Sequence, residues 1–529
     1  MGRRVRRSPP RAAALYALGL LAAGGSPAAP GDVEPFRLLG LSAAEASAAA
    51  PESRSLSIQP SLAIDTTLTD NRKRSASERQ SDWIAAVTPG LWLVASGGAV
   101  RGHLDYSLSA LTAVRDRQGD TLQNSLHAAM SVEAVEKLAY LDLAGSIERR
   151  SVSAFGAQAP ADSLSPDNAN SSEVATYRLS PYLRRRVGNF ADVEARLTHE
   201  ITHAQGATGS DSGTDTALLR LAQDSAYGRF GWGLEALRER VGFQAGRATV
   251  DQRARVLLTW FALPELRLAA SGGREANDYA GDGYRRANTA GLGLVWKPGE
   301  RTQLIAEHER RLDGAAHTLV FEHRMRRSVW RLSDTRDASA DFGRRSVGSQ
   351  GSTYDLLYAQ FASREPDPVL RAQAVREYMR SNGIAASAGL PGGALPAALT
   401  DERQQSLSVV WLGLRDTLSV NATRNVATRL DAASTAVDDF SARVRQQGVG
   451  AEMAHRLSER GALNLAVAQI QTRGDSAGQA NRLRSLNLVW SGKIDARLGF
   501  ALGLRHASFA SDTVPYTESA LTAGLRIGF

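Results

Sequence analysis

Three stretches of this chain are candidates for catalysis or metal binding. Gly474-Asp475-Ser476-Ala477-Gly478 has the Gly-x-Ser-x-Gly form that presents a serine nucleophile. That chemistry needs a strand-to-helix elbow, a histidine base and an orienting acid. Alternating strand patterns flank the segment on both sides and no helical pattern follows it, so it reads as a loop. His308-Glu309 lacks the second histidine of a zinc-binding helix and lies in a strand pattern. Asp211 and Asp215 could gather a divalent cation, although a solvated loop explains them as well. The chain has no cysteine, which removes thiolate nucleophiles, thiolate metal sites and disulfides together. No enzyme, cofactor or metal is expected.

A second set of charges is more informative, because it alternates with apolar residues. Glu194, Arg196, Arg253, Arg255, Arg267, Glu322, Arg324, Arg326, Arg497, Arg505 and Arg526 each fall on the polar side of a period-2 pattern. If the apolar sides face lipid, these residues face a lumen. There they either lace the wall with ion pairs or line a conduit, and the excess of arginine gives a mild preference for anions.

These charges fall within strand patterns. From Ser519 to Phe529 the apolar set Leu521, Ala523, Leu525, Ile527 alternates with Thr522, Gly524, Arg526 and Gly528. The same alternation recurs in Leu104–Val114, in Asp192–Thr198 and around Phe500. A soluble sandwich shares this period, but a transmembrane barrel also alternates short turns with long loops. The chain does this: Ser96–Ala99, Pro264-Glu265 and Leu412–Asp416 are short, whereas Asn71–Ser81, Ser151–Ser172 and Leu430–Ala442 are long. Trp92, Trp232, Trp296, Trp411 and Trp490 lie beside short turns, as an interfacial aromatic girdle requires. No window after the amino terminus approaches the run of ~20 apolar residues that a spanning helix needs. The fold expected is an all-β, transmembrane, antiparallel up-and-down barrel of about 20–22 strands over residues 56–529. Leu521, Ala523, Leu525, Ile527 and Phe529 resemble the closing strand read by the barrel-assembly machinery, a partner alongside outer-membrane lipid.

Residues 333–405 break the rhythm and read as an irregular insertion. Within it, Pro368–Asn382 predicts a helix, with Asp367 as N-cap, Pro368 as first residue and Gly383 as stop. Leu370, Ala374, Val375, Tyr378 and Met379 share one face. Trp330 and Trp411 both read as ends of descending strands, so one ascending strand is expected between them, best placed at Tyr354–Phe361. The helix is expected to serve as a plug, an outer lid or a docking element. At the amino terminus, Arg3, Arg4, Arg6, Arg7 and Arg11 precede an apolar stretch from Ala12 to Ala23. Residues 1–29 therefore read as a secretory signal peptide and 30–55 as a flexible periplasmic lead-in. Removing those five arginines lowers the formal charge from +8 to +3, so the basic pI of about 9.8 is no argument for nucleic acid, and no nucleic-acid partner is expected.

Thr66-Thr67-Leu68-Thr69-Asp70-Asn71, Thr88-Pro89-Gly90-Leu91, Asp355-Leu356-Leu357 with Phe361, Pro366-Asp367-Pro368, Arg371, Val375 and Arg424-Asn425 occur in that order. In this order they resemble the outer-membrane barrel proteins associated with the PEP-CTERM/exosortase system of exopolysaccharide-producing bacteria. The resemblance implies residence in the outer membrane of a Gram-negative bacterium. It also implies a role as a pore or scaffold in exopolysaccharide export and surface assembly, with polysaccharide-export components as possible partners. It brings no catalytic residues. The alternative function is a general or substrate-specific diffusion porin.

Overall fold

In the computed structural model, the described residues are 55–529 without 116–119, 161–162, 164–169, 189, 206–210, 224–227, 245–246, 282, 340–352, 363, 366–367, 383, 385–398, 431–441 and 477. The expected signal peptide and lead-in, the Asp367 cap and the Gly383 stop lie outside them. The strands begin with β1 (Ser55–Thr69), β2 (Asp82–Ser96), β3 (Val100–Ala113), β4 (Thr121–Val135), β5 (Ala139–Ser151), β6 (Ser171–Val187), β7 (Ala191–Ala204) and β8 (Ser212–Gln223). They continue with β9 (Phe230–Phe243), β10 (Thr249–Leu263), β11 (Leu266–Asn277), β12 (Arg285–Gly299), β13 (Thr302–Arg311), β14 (Gly314–Arg324) and β15 (Ser328–Ser339). After the helices α1 (Thr353–Phe361) and α2 (Pro368–Ser381) come β16 (Thr400–Leu412), β17 (Asp416–Arg429), β18 (Arg443–Arg456), β19 (Gly461–Arg473), β20 (Ala480–Lys493), β21 (Leu498–Ser511) and β22 (Tyr516–Gly528).

Every strand pairs antiparallel with its chain neighbours, and β22 pairs with β1, Leu68 opposite Leu521 and Ser61 opposite Gly528. The 22 strands thus form one closed barrel, in which no sheet edge is left unpaired. Connections at one end are short and those at the other mostly long. At the short-turn end, Gly97 and Gly98 join β2 to β3 with φ of 86° and 71°. Positive φ at two successive central residues is the geometry whose twist matches a hairpin, and glycine adopts it without steric cost.

Alternation sorts the side chains. Large apolar residues point outward and stay solvent-accessible around the wall, for example Leu197 at 62%, Leu258 at 63% and Leu292 at 70%. The inward-facing partners on the same strands are polar and buried: Glu200, Asp251, Arg253, Arg255, Thr289. A sandwich buries its apolar faces; this sheet buries its polar one. That inversion is expected where the outer surface meets lipid.

Two expectations need correction. Tyr354–Phe361 is not a strand but the core of α1. Adjacent Leu356 and Leu357 are both fully buried, which a strand with one buried face cannot arrange and a helix can. No hidden strand is needed, because Trp330 starts the ascending β15 rather than ending a descending strand. The irregular insertion also narrows from 333–405 to 340–399, since β15 continues to Ser339 and β16 begins at Thr400. The helix expected over Pro368–Asn382 is α2, Pro368–Ser381.

Candidate functional site: a helical plug in a polar lumen

The insertion leaves and re-enters the wall at the long-loop end, yet its helices contact the wall at the short-turn end. Arg324 Nη1 donates to the Ala359 carbonyl at 3.1 Å, and Gln360 Nε2 to the Met325 carbonyl at 3.3 Å. Tyr378 and Thr417 share a hydroxyl contact of 3.1 Å. Met325 and Thr417 sit at short turns. The two helices therefore lie inside the barrel, at the end opposite to the one where β15 stops and β16 starts.

An apolar cluster seats it. Leu356, Leu357, Val375, Met379 and Ile384 from the insertion pack on Val329, Val410 and Ala454 from the inner wall. Tyr354, Tyr358, Phe361 and Tyr378 rim the cluster, with Phe361 and Tyr378 edge to face at 5.6 Å. Leu356, Leu357 and Val375 have no exposed surface. At about 1.5–3 kcal/mol per buried side chain, these three contribute roughly 5–9 kcal/mol of transfer free energy before ordering costs. Val329 and Val410 are apolar inward positions of the wall, and the helices cover them.

On the other side, α2 reaches β2 and β3. Arg376 Nη1 lies 2.8 Å from Asp105 Oδ2, and its guanidinium sits 3.7 Å above the Trp92 ring. Trp92 also packs against His103 at 5.6 Å. Around the sheet, β3 and β16 are nine strands apart by the shorter route. The helix pair thus spans the lumen, anchored by packing at one wall and by a cation–π and ion-pair latch at the other. This placement corrects the girdle expectation for Trp92, which faces inward because its parity matches Ile84, Ala86 and Val94. Trp232, Trp296, Trp411 and Trp490 point outward at the short-turn end, and Trp260 and Trp330 join them. Trp232 contacts Phe190 at 5.2 Å.

Most of the predicted inward charges lie on the inner wall, in networks. Arg196 lies 2.8 Å from Asp142, 3.0 Å from Glu194 and 3.8 Å over Tyr182. Arg255 pairs with Glu235 at 2.8 Å, and Arg253 with Asp251 at 3.2 Å. Glu309 approaches both arginines, and Arg311 ties Asp251 to Glu275 at 2.7 Å and to Asp337. Both signs are buried together, so this sector is a structural ladder rather than an open charged wall. Arg267 lies over Phe261. Glu322 and Arg324 sit beneath α1, 3.9 Å apart, and Arg526 faces inward near the short-turn end. Arg326 and Arg497 depart from the expectation. Both lie in exposed short connections, 325–327 and 494–497. Asp495 organises the latter by accepting the Arg497 and Leu498 amides at 2.7 and 2.8 Å, which holds its carboxyl below the usual range.

The long-loop end has its own closure. Arg505 and Arg74 converge on Glu518 at 2.9 and 3.1 Å, and Arg72 pairs with Asp82 at 2.8 Å. The β5–β6 connection reaches across the mouth. Asn481 donates to the Ala154 carbonyl at 2.9 Å, Tyr516 donates to the Gln158 carbonyl, and Ala157 packs on Leu483, Ala507, Phe509 and Tyr516. Sequence reasoning missed Asp105, Arg74, Glu518 and Tyr516. Strand parity marks Asp105 and Glu518 as inward, but nothing local announces their partners.

Among the described residues, the remaining motifs hold no constellation. Ser476 is exposed in the connection 474–479 between two strands, with no helix behind it. His308 and Glu309 point to opposite faces of β13. Asp211 contacts His203 at 2.8 Å and Asp215 contacts His199 at 2.7 Å, so the two carboxylates do not converge. On β22, Leu521, Ala523, Leu525 and Ile527 share the outward face, and the Phe529 amide donates to the Pro60 carbonyl at 3.0 Å.

No family model and no curated protein matches the sequence. Among solved structures, the chain is similar to the FrpB iron transporter of Neisseria meningitidis in its apoprotein form. Identity there is 8%, over 94% of this chain and 82% of that one, with a TM-score of 0.47. It is also similar to the ferric enterobactin receptor PfeA of Pseudomonas aeruginosa (10%, 89% and 80%, 0.45) and to OccK5 (OpdH) of the same organism (11%, 89% and 98%, 0.32).

Proposed function

We propose that this chain is an integral β-barrel of a Gram-negative outer membrane, held shut at rest by its own β15–β16 insertion. In this reading it acts as a gated pore or scaffold in exopolysaccharide export and surface assembly. The short-turn end is periplasmic and the long-loop end faces outward. The observation that carries the gating is the helix pair seated across the lumen at the short-turn end. A general diffusion porin has no use for a plug that buries three aliphatic side chains completely. The link to polysaccharide rests on the resemblance, and its residues fall where the gate is. Leu356, Leu357, Phe361, Arg371 and Val375 are in the plug, and Asn71 is buried at the opposite mouth. The role is non-enzymatic, and the outward face of β22 is the surface offered to the assembly machinery.

Two experiments test this. In planar bilayers the intact barrel is silent or flickers, and deletion of 353–384 gives steady conductance; steady conductance of the intact chain makes it an open porin. In cells, a deletion strain retains its polymer in the envelope; normal polymer release sinks the export role.

A further inference from the structure

The outer wall differs around its circumference. On β1–β4 large apolar residues reach the long-loop end of the outward face: Leu68, Trp83, Val114 and Leu122. On β15–β20 the outward residues change character part of the way up. Residues directly opposed across neighbouring strands form one row: Asp334, Gln405, Arg424, Gln447, Gln471 and Arg482. The row beneath begins Leu332, Leu407, Ala422 and Val449. Ala422 is the small member, and the wall is concave there, lined by Leu332, Leu407, Val449, Arg424, Gln447 and Gln469. An apolar floor with a polar upper lip fits an amphiphile.

The charge identifies its head. Asp334 and Asp401 are matched by Arg403 and Arg336 at 2.6 and 2.7 Å. Above the apolar zone, the outward strand positions of β17–β20 carry no acid, yet they carry Arg424, Arg445, Arg482 and Arg484. The guanidinium fork matches phosphate oxygens in pairs. We infer that this groove binds a phosphorylated lipid of the outward leaflet, its acyl chains on Leu332, Leu407 and Val449 and its phosphate held by Arg424, Arg445 and Arg484. This rests on the membrane-spanning reading above.

The test uses the refolded full barrel in zwitterionic detergent, titrated with doubly phosphorylated lipid A or with phosphatidylcholine, and bound lipid is counted by native mass spectrometry. Lipid A is expected to bind at least about tenfold tighter. The triple variant R424Q/R445Q/R484Q loses that preference while still migrating as a folded barrel. The control R238Q/R240Q/R274Q removes three outward charges from β9 and β11 and leaves binding unchanged. Equal binding of the two lipids overturns the inference, as does an equal loss in both triple variants. A barrel that fails to insert into vesicles at all refutes the membrane reading instead.

Discussion

Leu357→Ala is the sharpest perturbation of the plug. Leu357 is fully buried in the α1 seat and belongs to no strand, so its truncation weakens docking without touching the ladder that closes the barrel. Large-to-small changes at such sites cost about 2–5 kcal/mol, because a cavity adds to the lost transfer energy. If the helices leave the wall as a unit, the whole cost falls on the docked state. At ~1.4 kcal/mol per decade, the undocked population rises by about 30-fold to a few thousand-fold. Single-channel recording reads this as open probability, at a membrane voltage where the native barrel is nearly silent. Leu414→Ala, at a residue 83% exposed in a short turn, is the control and leaves the record unchanged. Unaltered closed times in Leu357→Ala, with heat-modified migration intact, refute the claim that apolar seating holds the plug.

Other outcomes follow from the same geometry. Asp105→Ala opens the channel far less than Leu357→Ala, by about fivefold or less, because the Arg376 pair is half-exposed and such pairs contribute under ~1 kcal/mol; a larger effect in the same recordings makes the latch dominant. Arg311→Ala lowers barrel stability by about 3–5 kcal/mol in urea unfolding, because it strands Glu275, Asp251 and Asp337 without their shared cation, and Arg311→Met/Glu275→Gln recovers part of the loss. In single-tryptophan variants in vesicles, brominated acyl chains quench Trp296, Trp411 and Trp490 but spare Trp92; quenching of Trp92 contradicts its inward placement.

The barrel was legible because strand alternation is a local property, and twenty-two repetitions of it reinforce one another. The alternation of short and long connections fixed parity, and parity assigned faces to Arg253, Arg255 and Glu194 without coordinates. It failed where a residue sat in a turn, as with Arg326 and Arg497, because a pattern of two cannot mark where a strand stops. At Trp92 nearness to a turn suggests the girdle, whereas the parity of its own strand points it inward. Tyr354–Phe361 is ambiguous in sequence for a different reason. A short apolar run suits a buried helix as well as a strand, and only the paired burial of Leu356 and Leu357 separates them. The plug's depth was illegible, because residues 324–329, 410–417 and 105 are brought to it by closure of the whole sheet.

The insertion joins the wall at the long-loop end, and its helices lie against both walls at the other. The chain has no cysteine, so two introduced thiols report without background. Arg376→Cys with Asp105→Cys, treated with a short bis-maleimide in the folded, membrane-inserted protein, is the measurement. A cross-linked band between β3 and α2 is expected, together with a channel that stays shut even with Leu357→Ala added. A folded barrel whose two thiols never cross-link contradicts this placement.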